Sequence, residues 1–222
     1  MKEKINLPTK ITISRIIFAT LLLLSIIVIY IIDEFVPFVY KANIQISSNG
    51  AYINYLMIIL FVVFLVGSIT DYFDGHLARK YNLVTDLGKF LDPIADKMLV
   101  NGISIFLILG FPSLNNSLTF PFFCVAIMII RDLIIDGLRQ LGAVKNVVIS
   151  ANKIGKLKTV LQMVAISIIF LNGFPFSFFD FQWPMYLHIS DFICYAATIV
   201  SIISCVLYLI QNKKVFGGNN NE

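Results

Sequence analysis

Across residues 16–32 the chain carries no charged side chain, and the centre of that run reads LLLLSIIVIYII. A helix needs about 20 apolar residues to cross the hydrocarbon core of a bilayer. The run therefore constrains the fold more than any other feature, because such a helix is far more stable in lipid than in water. The pattern also recurs. Counting from a first span at 11–32, apolar stretches follow at 52–69, 92–109, 118–135, 159–171 and 192–210. The fifth is short, so its helix is expected to begin earlier, within the basic segment before Thr159. A soluble domain is roughly 45–50% apolar and about 25% charged, whereas here 58% is hydrophobic and 14% charged. A soluble core of 222 residues cannot hide so much Ile, Leu and Phe. The expectation is an all-α, polytopic membrane bundle of six transmembrane helices, forming one domain over 1–222.

The basic residues orient that bundle. Lys and Arg concentrate in cytoplasmic loops, and with six spans 16 of the 17 fall on one side, Lys41 being the exception. Both termini are thus expected in the cytoplasm. The first span exceeds the 7–15 apolar residues of a signal peptide, and no small-x-small cleavage site precedes Asp33. It is read as retained, and with no transit peptide before it the expected location is a bacterial plasma membrane. Trp183, Tyr186 and Tyr40 in the outer loops suit interfacial anchoring. Cys124, Cys194 and Cys205 lie in apolar stretches without metal-ligand spacing and are read as packing residues. The tail 215–222 is expected to be disordered.

Ionisable residues at membrane depth point to function, and here they cluster within 68–100. Asp71 and Asp74, three apart, share a helix face at the cytoplasmic end of span two, and Ala78 and Arg79 continue it. Gly88, Asp92 and Asp96, spaced by four, form a second stripe on span three. Four carboxylates facing one space would repel and raise one another's pKa. A divalent cation relieves that conflict, and an all-oxygen donor set favours Mg²⁺, Mn²⁺ or Ca²⁺ over zinc. Because Mg²⁺ commonly joins carboxylates to phosphates, a phosphate substrate follows. The competing reading, helix-end carboxylates paired with Arg79, Lys80, Lys89 and Lys97, explains a single Asp better than all four. His76 is read as packing or polar lining.

The pattern D-x2-D-G-x2-A-R-x8-G-x3-D-x3-D, from Asp71 to Asp96, resembles the motif of the CDP-alcohol phosphatidyltransferase family. That resemblance implies a six-helical, often dimeric membrane enzyme that moves a phosphatidyl group from CDP-diacylglycerol to an alcohol and releases CMP. It implies Asp71, Asp74, Asp92 and Asp96 as ligands for Mg²⁺ or Mn²⁺, with Asp96 also the general base. It further implies that Asp71, Gly75, Ala78, Arg79 and Gly88 form the CDP-diacylglycerol site. A homodimer is implied by the family alone, and no nucleic-acid partner is expected.

The acceptor is suggested by residues 131–162. Arg131 and Arg139, eight apart, lie on broadly one side of a helix and can converge on an anion, for which the Arg fork is well suited. Positive-inside charge needs no ligand, and topology alone explains Lys145, Lys153 and Lys158 equally well. The stretch also resembles the phosphatidylglycerophosphate synthase branch of the family, with Arg131, Asp132, Arg139, Gly155, Lys156, Lys158, Thr159 and Gln162 matching. At the N-terminus Pro8, Thr12 and Arg15 match that branch, while Thr9 stands where it has Asn. The resemblance covers about 6–20 and 66–165; loop 33–51 and the last span add nothing specific. It implies sn-glycerol 3-phosphate as acceptor, its phosphate held by Arg131, Arg139 and Lys156. The rival expectations are inositol phosphate, serine or phosphatidylglycerol as acceptor, a cation transporter built on the Asp cluster, and an inactive scaffold.

Overall fold

A computed structural model describes residues 7–45, 52–80, 86–114, 118–145, 153–178 and 188–213. The side chains of 7–9, 11, 71–80, 86–90, 92, 93, 96, 143, 153 and 178 lie outside that description, as does the tail 215–222. Six α-helices occur among the described residues: α1 Leu7–Phe35, α2 Tyr55–Lys80, α3 Asp86–Leu109, α4 Phe122–Val144, α5 Lys153–Phe170 and α6 Ile189–Gln211. Two of them, over Thr12–Phe35 and Ile189–Gln211, are long and apolar enough to cross a membrane. In α2 and α3 the described side chains include shorter apolar stretches, Tyr55–Thr70 and Lys97–Leu109. The fifth helix does begin before Thr159, at Lys153.

Local chemistry explains the boundaries. Pro8 sits in the first turn of α1, where its missing N–H is no loss. Asn54 caps α2: its Oδ1 accepts from Leu56 N at 2.9 Å and Met57 N at 3.2 Å. The fourth helix starts later than expected, at Phe122. Pro121 disfavours helical backbone at Phe120, and its carbonyl instead accepts the first turn's Cys124 and Val125 N–H groups. At the end of α5, Asn172 takes φ 51°. Asn172 N then donates to Ile169 O and Gly173 N to Ile168 O, the 5→2 and 6→1 bonds that close a helix C-terminus. His188 and Asp191 form a reciprocal capping box at the start of α6.

The loop ends opposite the Asp-bearing turns are stitched together. Asp33, 1% exposed, accepts from Phe38 N, Val39 N, Ser113 N and Ser113 Oγ at 2.8–3.0 Å. A short antiparallel pair, β1 Asn43–Gln45 and β2 Tyr52–Asn54, places Asn43 opposite Asn54. Asn172 joins two further segments, accepting from Leu118 N and donating to Tyr52 O. The segment 33–51, which suggested nothing at the sequence level, is in its described part a polar clasp on the bundle.

The main packing partners are α5 with α6, α1 with α3, and α4 with α6. Phe64, Ile103, Met128, Ile166 and Phe170 lie in one apolar core, where the Phe64 and Phe170 rings stand 6.1 Å apart. The buried face of α6 reads Ser190, Cys194, Ala197, Ser201, Ser204 and Tyr208, steps of four and three with mostly small side chains. Such a stripe lets helices approach closely in lipid. Ile199, Ile202, Ile203, Val206 and Ile210 face outward.

Close approach also governs α3. A Cβ on Gly102 would meet Leu23 Cδ1 at 2.6 Å, whereas one on Gly137 of α4 would meet nothing within 4 Å. Gly102→Leu is expected to cost about 1–3 kcal/mol through overpacking, seen as a lower unfolding temperature in detergent. Gly137→Ala should leave that temperature unchanged or raise it, because Ala is the better helix former.

Candidate active site

One cavity of about 200 Å³ opens at the end of the bundle remote from the Asp33 clasp. Lys97, Val100 and Asn101 of α3 line it, with Arg131, Asp132, Ile135, Asp136 and Arg139 of α4. From α5 come Gly155, Lys156, Lys158, Thr159 and Gln162, and from α6 Tyr208. Helical spacing explains the α4 contribution: Arg131, Ile135 and Arg139 form one row at steps of four, and Asp132 and Asp136 form the row beside it. The three residues expected to hold an acceptor phosphate, Arg131, Arg139 and Lys156, thus share one cavity. Five basic side chains face two acidic ones there, so the cavity favours an anion.

The charges divide into fixed and accessible groups. Lys158, 2% exposed, donates to both oxygens of Asp132 at 2.9 and 2.8 Å. Arg131 Nη1 donates to the same carboxylate at 3.0 Å, and Nη2 to Ser204 Oγ at 2.5 Å. Asp132 therefore orients both cations, as a buried charge requires partners. Gly155 leaves room for this guanidinium: a Cβ there would stand 3.4 Å from Arg131 Nη2. Arg131 Nε is buried and has no hydrogen-bond partner among the described residues. Lys97 pairs with Asp136 and also donates to the Asp132 carbonyl at 3.4 Å. Arg139 lies towards the open side, where its Nε donates to Tyr208 Oη at 3.2 Å and its guanidinium sits 6.0 Å from the Tyr208 ring centre. Lys156 is exposed.

The Asp motif is described by its backbone. The last three turns of α2 carry Asp71, Asp74, Gly75, Ala78 and Arg79, and the first three turns of α3 carry Gly88, Asp92 and Asp96. Their side chains lie outside the described residues, and among those described no group of three or more His, Cys, Asp or Glu side chains could hold a metal ion. Backbone continuity still links the two halves: Lys97, in the cavity wall, directly follows Asp96.

Sequence reasoning missed the part played by α6. Ser204 and Tyr208 contact the two arginines, although the last span suggested nothing specific. The available signal was the four-three spacing of small residues ending in Tyr208, which marks the face turned inward.

Six helices, a basic cavity and the D-x2-D-G-x2-A-R sequence in α2 together define a class, and comparison with known proteins agrees with it. The family model for CDP-alcohol phosphatidyltransferase matches residues 5–212, and this chain belongs to that family. Among its relatives is the CDP-diacylglycerol–glycerol-3-phosphate 3-phosphatidyltransferase of Bacillus subtilis, 32% identical over 97% of this chain and 99% of the relative. Proteins of the same name from Rickettsia felis and Mycoplasma genitalium are 33% and 36% identical. Those alignments cover 95% and 77% of this chain, and 97% and 70% of the relatives. The matched region includes α6, so the family extends beyond the part legible in the motif. Membership leaves the transporter reading without support.

Removing the shared counterion tests the charge network. Asp132→Ala is expected to cost about 3–5 kcal/mol, measured as thermal unfolding in detergent. The double change Asp132→Leu with Lys158→Met should recover part of that loss, because no buried ammonium is left unpaired.

Proposed function

We propose that the chain transfers the phosphatidyl group of CDP-diacylglycerol to the primary hydroxyl of sn-glycerol 3-phosphate, giving phosphatidylglycerophosphate and CMP. The observation that carries this reading is the cavity in which Arg131, Arg139 and Lys156 come together with Lys97 and Asn101 of α3. A dianionic acceptor explains five basic side chains better than serine or another zwitterion would. The names of the relatives point the same way.

The residues divide the work as follows. Arg131, fixed by Asp132 and Ser204, presents Nε to the acceptor phosphate, while Arg139 and Lys156 close on it from the open side. Asp96 takes the proton of the primary hydroxyl. That oxygen then bonds to the phosphatidyl phosphorus, and the bond to the CMP phosphate breaks. Gly75, Ala78 and Gly88 admit the nucleotide close to the helix backbone, with Asp71 also at that site and Arg79 on the diphosphate. The four aspartates, all oxygen donors on two helices consecutive in the chain, fit a hard divalent cation, Mg²⁺ or Mn²⁺. When bound, such a cation withdraws charge from the diphosphate.

In the arrangement we propose, the single domain crosses a bacterial plasma membrane six times, with both termini and the active site on the cytoplasmic side. The lysine and arginine distribution supports this orientation. A homodimer rests on the family resemblance, and its mass in native mass spectrometry checks it.

Purified protein given CDP-diacylglycerol is expected to release CMP with sn-glycerol 3-phosphate and not with serine, inositol phosphate or phosphatidylglycerol. Chelation by EDTA should stop turnover, and Mg²⁺ or Mn²⁺ should restore it. Release of CMP with another alcohol alone would reject the acceptor.

Two substitutions probe the roles separately. Asp96→Asn should abolish turnover and largely spare nucleotide binding. Arg139→Ala should raise the acceptor KM roughly 10- to 100-fold, the worth of a charged hydrogen bond, with a smaller effect on the KM for CDP-diacylglycerol. Equal effects on both would assign Arg139 a structural role.

A further inference from the structure

The cavity is chemically two-sided. Its cations Arg139 and Lys156 are exposed at the mouth, whereas Gln162 is 2% exposed. Asn101 of α3, one turn beyond Lys97, also lines the cavity. Its Oδ1 is buried and has no hydrogen-bond partner among the described residues. A buried acceptor left unpaired has lost its water without replacement, so native structures rarely keep one without a use. Two other polar groups of the wall are engaged: Gln162 Nε2 reaches Ser104 Oγ at 3.5 Å, and the Thr159 hydroxyl donates to Gly155 O at 3.2 Å. Lys97 is held by Asp136.

An unpaired carboxamide oxygen is an acceptor, which a phosphate dianion cannot serve and an alcohol O–H can. A hydroxyl both donates and accepts, so it pairs with a carboxamide in either orientation. The proposed acceptor carries one hydroxyl more than the reaction consumes, at C2. We infer that Asn101 is a specificity-determining residue, whose side chain receives the C2 hydroxyl of the acceptor while the cations hold its phosphate. This rests on the reading of glycerol 3-phosphate as acceptor. A site built to hydrogen-bond a substrate hydroxyl discriminates against the analogue that lacks it, because its own polar group is then left unpaired.

The test compares sn-glycerol 3-phosphate with 3-hydroxypropyl phosphate, which keeps the phosphate and the primary hydroxyl and lacks the one at C2. Wild-type protein is expected to favour glycerol 3-phosphate by about tenfold or more in kcat/KM. In Asn101→Ala, and in the closer-sized Asn101→Leu, that preference should fall to near one. Both acceptors are assayed on the same sample, so the amount of folded protein cancels from the ratio. A wild-type ratio near one would overturn the inference. An unchanged ratio in the variants would do the same, as would loss of turnover on both acceptors in both variants. If wild-type protein makes no product from glycerol 3-phosphate but does so from another alcohol, the acceptor reading itself fails, an outcome distinct from these.

Discussion

A single carboxylate, Asp132, organises the charged end of the bundle. It accepts from Lys158 through both oxygens and from Arg131 through one, and so joins α4 to α5. A buried cation needs a partner, and this one carboxylate supplies it to both. The pairing leaves the guanidinium with one orientation, and that orientation sets which nitrogen remains for a ligand. The cavity is therefore a product of internal electrostatics before any substrate enters. Its net positive character persists because the other basic side chains outnumber the one remaining acid, Asp136.

The sixth helix completes this arrangement from the other side. Its inward stripe is small, which allows α4 and α5 to approach, and it ends in two polar side chains that reach Arg131 and Arg139. Packing and chemistry share one face. An apolar helix with larger residues at 201 and 204 would hold α4 at a greater distance and leave the Arg131 Nη2 group without an oxygen.

Much of this was legible from residue order. The apolar runs implied six helices, and helical periodicity placed Arg131 and Arg139 on one side of α4. The family was readable from the resemblance carried by 26 residues, Asp71 to Asp96, whereas the carboxylate spacing by itself pointed only to a cation site. Less legible were the contacts that depend on tertiary proximity. Nothing in the order of residues says that Lys158 lies inside and Lys156 outside, since a step of two along a helix turns the side chain by about 200° and only the neighbours decide which side is buried. Asn101 was equally silent, one amide in an apolar helix. The start of α4 was misjudged because apolarity continues through residues 118–121, while the proline there stops the helix.

The clasp made by Asp33, Asn54 and Asn172 lies at the end opposite the cavity, and each residue bonds backbone across two or three segments. Helices tied at one end through backbone hydrogen bonds and joined at the other through side-chain ion pairs do not move alike along their length. Small tilts pivot about the tied end, and their displacement grows with distance from it. Admission of a lipid nucleotide and departure of CMP would thus need only a slight splaying of the helix ends around the cavity, with the far side of the bundle left in register.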